Sequence, residues 1–380
     1  MLNLGVVGTS RKENEKRVPI HPRHISRIED RHLQQLTFET GYGQRFGFED
    51  EFFVRAGCTV LDRQDLLQTC DAVILPKPIE ADLEAMRDGL IVWGWPHCVQ
   101  QRQLTEIAIK KRLTLIAFEA MFDWSPQGHR GIHTFYRNNE LAGYCAVLHA
   151  LELMGKDGFY GPQHEIAILS FGSVSRGAAY ALQQRGFGNI TIYTQRPPHA
   201  VGNKLINAQF GQMYCQSQDE ASLFTACPGE GPRPMKETLA DADLIVNGIL
   251  QDTDSPVMFL SEKDASCLRE QSLIIDVSCD RGMGFPFARP TTFASPTFRV
   301  GHATYYAVDH TPTYLWDAAS WEISEAVLPF LATVMNGKSS WRQDATISRA
   351  IEIEEGVIQN EKILSFQKRE PAFPHATKSA

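Results

Sequence analysis

The stretch "AILSFGSVSRGAAYALQQRGFGNITIYTQR", residues 167–196, has the pattern of a strand, a tight turn, a helix and a second strand. In the dinucleotide-binding version of this unit, three glycines let the chain reverse, let the backbone approach a pyrophosphate and let the helix pack on the strand. Ser170, Gly172 and Ser175 hold those places here. The middle glycine is kept and both serines are small, so we predict that the turn is retained.

The N-terminus of the helix in this stretch is a candidate phosphate site, because the first amide groups of a helix lack internal partners and favour an anion. The candidate contacts are Ser170, Gly172, Ser173, Val174 and Ser175. A strand–helix turn that binds no ligand is the alternative.

The end of the second strand indicates which cofactor would bind. A cofactor with a free ribose 2′-hydroxyl is usually met there by Asp or Glu, whereas this strand ends in Thr194, Gln195 and Arg196. A carboxylate would repel a 2′-phosphate, while Thr and Gln can donate hydrogen bonds and Arg can pair with a phosphate. The pattern favours NADP(H) and leaves NAD(H) open; a solvated loop arginine is the alternative.

Short apolar runs alternate with helical segments along most of the chain, which is typical of an α/β protein with parallel sheets. The runs are "LGVV", "DAVILP", "LIVWGW" and "LTLIAFEA" before residue 120, and "EIAILS", "NITIYT", "ADLIVNGI" and "SLIIDVS" after residue 160. Between them lies a helical pattern that Asn138 or Asn139 could cap at its start and Gly155 at its end. We predict two Rossmann-like, doubly wound domains with a cleft between them.

The outer of the two predicted domains is discontinuous. A second long helical pattern, "LWDAASWEISEAVLPFLATVMNG", follows residue 308, with no further strand-rich unit to form a third domain. We therefore expect residues 1–140 plus 311–380 to form a substrate and catalytic domain around a nucleotide-binding Rossmann domain at 141–310. The final segment, "QKREPAFPHATKSA", has no periodicity and is expected to be loose.

Composition argues against several classes of partner. The net charge is −8, and no basic stripe interleaved with aromatic residues is present, so nucleic acid is not expected. No run approaches the roughly 18 uninterrupted apolar residues of a membrane helix, and the N-terminus lacks the pattern of a signal peptide. We expect small-molecule partners for a cytoplasmic protein.

The cysteines predict neither disulfides nor metal binding. All eight are scattered singly, with no Cys-x-x-Cys pair and no clustered His beside them. We expect reduced, mostly buried thiols and no metal site.

Three basic residues follow predicted strands in the first part of the chain, where open α/β sheets present their ligands. Lys77 lies in "VILPKPI", His97 in "WGWPHC", and Arg17 in "KENEKRVPIHP" after the first strand. The neighbouring prolines place Lys77 and His97 on turned loops rather than on helix faces. Taken one at a time, each could equally be a surface lysine, a satisfied loop histidine or a solvated arginine.

Motifs in a fixed order across nearly the whole chain resemble the alanine dehydrogenase and pyridine nucleotide transhydrogenase superfamily. They are "KENEKRVPIHP", "PKP", "GWPH", "ELAGYCAVLHAL", "ILSFGSVSRGA", "LIVNGILQDTDSPVMFL", "LIIDVSCD" and "YYAVDHTPTYLWDAAS". Within the superfamily the chain is most similar to the opine-forming branch. "GWPH", "AGY" and "VNGI" resemble N(5)-(carboxyethyl)ornithine synthase, whereas "DVSCD", "PTTF" and "VDHTPT" resemble lysine-forming saccharopine dehydrogenase.

The resemblance implies roles for individual residues. Arg17 matches an arginine that binds a substrate carboxylate, Lys77 and His97 match an acid/base pair, and Asp280 matches an acidic catalytic residue at the cleft. It also implies a possible homo-oligomer.

Two further features of the resemblance concern the cofactor and the amine. Asp309 and His310 match a loop that lies across the nicotinamide. The stretch "RGMGFPFARPTTF" departs from the glycine-rich stretch of alanine dehydrogenases, which counts against ammonia as the amino donor.

These observations predict an NADP(H)-dependent enzyme that joins an oxoacid, pyruvate in the first instance, to an amine of a basic amino acid of ornithine or lysine type. The imine formed by loss of water would be reduced by hydride. The alternatives are a saccharopine dehydrogenase acting on 2-oxoglutarate and lysine, an alanine dehydrogenase, and a non-catalytic nucleotide-binding regulator.

Overall fold

The computed structural model of the protein describes residues 1–215 and 223–378. The chain divides into two compact units. The first unit is Met1–Tyr136 with Trp316–Ala380, and the second is Arg137–Leu315. Both divisions fall at the start of a long helix, because one helix begins at Tyr136 and another at Trp316.

The first unit opens with short strands and helices in alternation. In chain order they are β1 (Leu4–Val6), α1 (Asp30–Leu33), β2 (Leu36–Glu39), α2 (Asp50–Arg55), β3 (Thr59–Leu61), α3 (Arg63–Thr69), β4 (Ala72–Ile74), α4 (Glu80–Ala85), β5 (Ile91–Gly94), α5 (Arg102–Lys110), β6 (Thr114–Ala117), β7 (Phe122–Trp124) and β8 (Arg130–His133). Short 3-10 helices lie at Pro22–Arg27, Gln44–Phe46 and Phe118–Ala120.

The second unit follows without a break. Its elements are α6 (Tyr136–Met154), β9 (Ile166–Leu169), α7 (Ser173–Gln184), β10 (Ile190–Thr194), β11 (Gln209–Cys215), β12 (Leu223–Ala226), β13 (Arg233–Pro234), α8 (Met235–Ala240), β14 (Leu244–Asn247), β15 (Leu273–Asp276), β16 (Thr297–Val300) and β17 (Ala303–Tyr306). Its 3-10 turns lie at Pro198–Ala200, Glu262–Cys267 and Thr311–Leu315.

The chain then returns to the first unit. The closing elements are α9 (Trp316–Met335), α10 (Lys338–Trp341), α11 (Ala345–Ala350), β18 (Ile351–Glu354), β19 (Val357–Ile358) and α12 (Glu361–Gln367).

The sheet of the first unit has the order β19-β18-β6-β5-β4-β1-β2-β3. Strands β1 to β6 pair in parallel, and β18 joins β6 antiparallel. The chain winds first from β1 towards β3 and then from β4 towards β6, so the direction of winding reverses between β1 and β4. In open α/β sheets this reversal, at the carboxyl ends of the strands, is where ligands bind.

The sheet of the second unit has the order β13-β12-β11-β10-β9-β14-β15-β17-β16. Its central strands are parallel, and antiparallel strands close both edges. Winding reverses between β9 and β14, which are fully buried. The loop after β9 therefore lies at the ligand-binding edge of this sheet.

The α/β class with doubly wound sheets is confirmed, although the sequence pattern missed several strands. β2, β3 and the edge strands β11 to β13 were not expected, and neither was the β18–β19 hairpin, "IEIEEGVI", at residues 351–358. That hairpin turns at Glu355 and Gly356, both with positive φ. Edge strands and hairpins are short and charged, so they lack the continuous apolar run by which a central parallel strand is recognised.

The start of α6 corrects one expectation. The helix begins at Tyr136, so Asn138 and Asn139 are interior residues and not caps. Gly155 follows the helix end with φ 60°, as a C-terminal glycine should. Gly143 is buried, and its lack of a side chain lets α6 approach α7 closely, since a Cβ there would stand 1.9 Å from the Val174 carbonyl oxygen.

Residues 367–378 of the C-terminal segment are not loose, contrary to expectation, while 379 and 380 lie outside the described residues. Arg369 and His375 are buried, at 2% and 1% exposure. The imidazole Nε2 of His375 accepts a hydrogen bond from the backbone N–H of Ile358 at 3.0 Å. Specific hydrogen bonds, rather than an apolar stripe, hold the segment, and for that reason its sequence shows no periodicity.

The cysteines are less buried than the sequence predicts. All eight cysteines are free, but only Cys58, Cys70, Cys98 and Cys145 are buried. Within residues 1–215 and 223–378, no helix is long and apolar enough to span a bilayer, and no group of three or more His, Cys, Asp or Glu side chains is arranged to hold a metal ion.

Candidate active site

Three adjacent strands of the first unit deliver the basic residues that the sequence singles out. Arg17 follows β1, Lys77 follows β4 and His97 follows β5, and these strands are neighbours in the sheet. The Ser10 hydroxyl donates to the Lys77 carbonyl at 3.0 Å, which ties the first loop to the second. The three loops therefore share the carboxyl edge of one sheet at its winding reversal.

Arg17 is held by a bidentate ion pair. Its Nε donates to Glu15 Oε1 at 2.8 Å and its Nη2 to Glu15 Oε2 at 2.5 Å. Both residues are buried, at 5% and 8% exposure. The guanidinium also lies over the ring of Trp95, 5.4 Å from its centroid. Such a pairing fixes the plane of the guanidinium, and Trp95 connects it to the loop of His97.

His97 adopts a left-handed backbone conformation, with φ 49°. Its N–H donates to Glu119 Oε1 at 2.6 Å, and its Nδ1 lies 3.7 Å from the same oxygen. The imidazole is partly exposed, at 38% of its side chain. The backbone carbonyl of Glu119 lies 3.3 Å from Nε2 of a second histidine, His133. Burial lowers the pKa of His133 to about 4.

The half-buried Glu119 and the buried Glu352 form an acidic pair behind His97. Burial, followed by the repulsion of Glu352, raises the pKa of Glu119 well above its ordinary value, while Lys77 opposes the shift. Burial raises the pKa of Glu352 to about 7, against hydrogen bonds from Asn360 and the Cys98 thiol. Oε2 of each carboxyl is buried and has no hydrogen-bond partner within the described residues. Repulsion between the two carboxylates disfavours ionisation of both at once.

The turn after β9 explains how serines replace glycines. Ser170 has φ 76°, a conformation that favours glycine. Its hydroxyl contacts Ser175 Oγ and the Gly248 carbonyl, each at 3.0 Å, and the Ser175 hydroxyl donates to the Leu169 carbonyl at 3.2 Å. These hydrogen bonds close the turn and offset the backbone strain.

The N-terminus of α7 fits a phosphate group. The N-cap is Gly172, which has no side chain to satisfy the first amides of Ser173 and Val174. A Cβ built on Gly172 would meet no described atom within 4 Å, so a ligand could approach the backbone closely. Ser175 is fully buried, and it supports the turn from within.

The strand end that bears on cofactor choice has one inward and two outward residues. Thr194 is buried and donates its hydroxyl to the Arg196 carbonyl at 2.6 Å. Gln195 and Arg196 are exposed. Thr194 therefore shapes the loop that presents the Arg196 side chain.

More positive charge lies beside this loop. The Arg176 guanidinium lies 4.2 Å from the ring centroid of Phe171, and its Nη1 donates to the Asn203 carbonyl at 2.9 Å. The next residue, Lys204, stands over the ring of Phe210 at 5.5 Å. The β10–β11 connection thus carries both Arg196 and Lys204, with Arg176 against it.

A buried polar network supports the loop that ends in Asp280. Asp276 Oδ1 accepts hydrogen bonds from Asn247 Nδ2 at 2.9 Å and from the Cys279 N–H at 3.0 Å, while the Tyr305 hydroxyl donates to Oδ2. Burial raises the pKa of Asp276 to about 6, opposed by these hydrogen bonds and reinforced by Asp280. The family resemblance singled out Asp280, whereas Asp276 accepts the hydrogen bonds that hold the preceding part of the loop.

We expect Asp276→Asn to change how stability depends on pH. A carboxyl whose pKa rises from 3.8 to about 6 on folding stabilises the fold below about pH 4 and loses that contribution as pH rises through 6. Relative to the wild type, the free energy of unfolding of the variant should rise by roughly 3 kcal/mol between pH 4 and pH 7. Urea unfolding across this range measures it. Asp88→Asn, at a side chain 82% exposed, is the control, and parallel curves for Asp276→Asn and the wild type would contradict the expectation.

Asp309 and His310 form a close pair. His310 Nδ1 lies 2.6 Å from Asp309 Oδ1, and the imidazole is buried. The ring of Phe293 meets it edge to face at 5.1 Å. The pair follows β17, so it also lies at the carboxyl edge of its sheet.

Comparison with known proteins assigns the family. The profile "Alanine dehydrogenase/PNT, N-terminal domain" matches residues 6–132, and "Alanine dehydrogenase/PNT, C-terminal domain" matches residues 219–361. The chain belongs to the alanine dehydrogenase/PNT family. It is therefore a dehydrogenase-type oxidoreductase that uses NAD(P) and acts on CH–NH bonds, as the sequence predicted.

Individual members of the alanine dehydrogenase/PNT family are similar to this chain over most of their own length. An N(5)-(carboxyethyl)ornithine synthase of Clostridium botulinum is 26% identical over 329 residues, covering 82% of this chain and 89% of that protein. An alanine dehydrogenase of Mycobacterium tuberculosis is 22% identical over 373 residues, covering 94% and 95%. A solved L-alanine dehydrogenase superposes with a TM-score of 0.72 at 20% identity, covering 96% of this chain and 98% of that one, which supports the fold.

Several residues around the site were not singled out from the sequence. Glu119 follows β6, and the strand-end rule that selected Lys77 and His97 could have selected it as well. Glu15 and Trp95 flank selected residues at two positions' distance. Glu352 had no such signal, because its strand was not expected.

Proposed function

We propose that the protein catalyses the NADPH-dependent reductive condensation of pyruvate with an amine of a basic amino acid of ornithine or lysine type. The observation that carries the proposal is the placement of Arg17, Lys77 and His97 on the loops after three adjacent strands. A carboxylate-binding cation and two proton-exchanging groups are what imine formation and reduction need from a protein.

The second unit would hold the cofactor. The uncapped N-terminus of α7 and the open space at Gly172 suit its pyrophosphate, and Arg196 suits a 2′-phosphate. When bound, the cofactor supplies the hydride that reduces the imine carbon.

Lys77 and His97 would move the protons. Condensation of an oxoacid with an amine requires a proton on the departing hydroxyl and removal of protons from the attacking nitrogen. Histidine exchanges protons near neutral pH, and the half-buried Lys77 follows the neighbouring strand β4. Burial raises the pKa of Glu119, which disfavours the carboxylate form that would otherwise hold His97 as a cation.

Arg17 would hold the oxoacid. An arginine is suited to a carboxylate because its N–H groups form a planar fork. The pair with Glu15 and the contact with Trp95 fix the guanidinium plane before substrate arrives, so little orientational freedom is lost on binding.

The substrate class is drawn from the relative's name. A carboxyethyl group on the N5 nitrogen of ornithine is what pyruvate and the ornithine side-chain amine yield after loss of water and addition of hydride. The Clostridium botulinum protein with that name is similar over 82% of this chain.

The test is NADPH oxidation with matched substrate pairs. Pyruvate with ornithine or lysine should oxidise NADPH, and pyruvate alone should not; mass spectrometry should find the secondary amine. Turnover only with pyruvate and ammonia would replace the proposal with an alanine dehydrogenase, and turnover only with 2-oxoglutarate and lysine would replace it with a saccharopine dehydrogenase. No turnover with any pair would leave a nucleotide-binding regulator.

Arg196→Ala should weaken NADPH binding much more than NADH binding. A charge-assisted hydrogen bond to phosphate contributes roughly 1.5–3 kcal/mol, so the dissociation constant of NADPH should rise about 10- to 150-fold. Fluorescence titration with both cofactors measures the ratio. Arg185→Ala, at the opposite end of α7 and paired with Asp157 at 3.4 Å, is the matched control. Equal loss for both cofactors, or a wild type that prefers NADH, would refute this assignment of Arg196.

A further inference from the structure

The last helix of the chain reaches the loop that carries His97. Gln367 ends α12 and is 5% exposed. Its Nε2 donates to the carbonyl of Cys98 at 2.6 Å, to the carbonyl of Val99 at 3.2 Å and to Thr105 Oγ1 at 3.2 Å. One side-chain amide therefore holds the two carbonyl groups that directly follow His97.

Arg369 fixes which way that amide points. Its Nε donates to Gln367 Oε1 at 2.7 Å, and its Nη1 contacts the His375 carbonyl at 3.1 Å and Glu106 Oε2 at 2.9 Å. Because a guanidinium has donors only, the Gln367 oxygen must face Arg369. The nitrogen then faces the loop carbonyls.

The loop needs such support because of its backbone conformation. His97 has φ 49°, and a non-glycine residue keeps a left-handed conformation only where its surroundings impose it. Glu119 holds the His97 N–H at 2.6 Å, and the N–H groups of Gln100 and Gln101 donate to the His97 carbonyl at 3.1 and 3.0 Å. Gln367 adds hydrogen bonds to the carbonyl groups of the next two residues, Cys98 and Val99.

We propose that Gln367, oriented by Arg369, is a positioning residue for His97, so that the C-terminal segment of the chain controls the geometry of the catalytic loop. The proposal rests on the proposed function for what His97 does, and on the contacts above for how it is held. Both residues act through the backbone of the loop rather than by touching substrate or cofactor.

Hydrogen–deuterium exchange tests the contacts without any assay of turnover. In Gln367→Met, which removes the donor and keeps the volume, the Gln100 and Gln101 amides should exchange about tenfold faster. Gln367→Glu keeps the shape and turns the donor into an acceptor, so it should act at least as strongly and serves if the first variant is poorly folded. Gln359→Met, at an exposed residue whose side-chain amide donates to the Val357 carbonyl at 3.1 Å, should change nothing. Wild-type exchange of these two amides in both Gln367 variants would overturn the proposal.

Kinetics test whether Gln367 affects turnover by positioning His97. Gln367→Met should lower kcat about tenfold, equivalent to about 1.4 kcal/mol of barrier, with the NADPH dissociation constant unchanged. In a His97→Gln background the same change should cause no further loss, since residues that act as one unit are not additive. Full additivity would overturn the role. Faster loop exchange in a protein whose wild type turns over no oxoacid and amine pair would support the positioning and reject the proposed function.

Discussion

His97→Gln should lower kcat for oxoacid and amine by roughly 10²–10⁴-fold, the range that a general acid or base contributes. Lys77→Met should do the same. Both residues lie at strand ends in the first unit, whereas the turn after β9, the proposed phosphate site, lies in the second, so NADPH binding should stay within a few-fold of the wild type. Steady-state kinetics and fluorescence titration measure the two effects separately.

Matched controls and a contrasting variant make this result specific. His129→Gln and Lys110→Met alter exposed residues of the same types and the same unit and should retain full turnover. Arg17→Ala should raise the oxoacid Michaelis constant more than it lowers kcat, because a carboxylate clamp serves the ground and transition states alike. Near-normal kcat in both His97→Gln and Lys77→Met would remove these residues from the chemistry.

Gly177→Ala should destabilise the second unit and weaken cofactor binding together. A Cβ at Gly177 would stand 1.8 Å from the Glu140 carbonyl oxygen, and a Cβ at Gly143 would stand 1.9 Å from that of Val174. These are backbone atoms of α6 and α7, so relief requires the helices to separate. We expect a loss of about 3 kcal/mol, more than the roughly 1 kcal/mol that Ala gains over Gly in a helix. Urea unfolding measures the stability.

The displacement of α7 links the two readouts of that variant. Its first turn carries Ser173 and Val174, so a shift of the helix moves the amides that would bind phosphate, and NADPH titration should show the loss. Gly188→Ala is the control, because a Cβ there would meet no described atom within 4 Å. Wild-type stability in Gly177→Ala would mean that α6 and α7 do not pack as closely as described.

The sequence predicts the parts of this protein that repeat a general rule of α/β architecture. Buried parallel strands are continuous apolar runs, and ligand-binding residues follow their carboxyl ends. The strand-end positions of Lys77 and His97 and the turn at Ser170 could be predicted from the sequence for that reason. The serine hydroxyls that stabilise the turn were not, because hydrogen bonds to Gly248 and Leu169 depend on strands that are distant in sequence.

The sequence did not predict the C-terminal residues that lie near the His97 loop. Glu352 lies in "IEIE", an alternation that ordinarily places glutamates in solvent. The register of β18 against β6 shifts between Ile351 and Ile353, and a bulge of this kind re-aims a side chain. No sequence pattern marks Gln367 and Arg369, because specific hydrogen bonds rather than a periodic apolar stripe hold these two buried residues in place.

The return of the chain to its first unit matters for how the protein is made. Strands β1 to β6 leave the ribosome before the second unit, but β18, which pairs with β6, is synthesised only after all of Arg137–Leu315. Because domains tend to fold as their segments emerge, the continuous second unit can complete itself first. The growing polypeptide must keep the edge of β6 from pairing wrongly until its last segments arrive. Proteolysis of arrested nascent chains should find the second unit protected while the first unit is still open to cleavage.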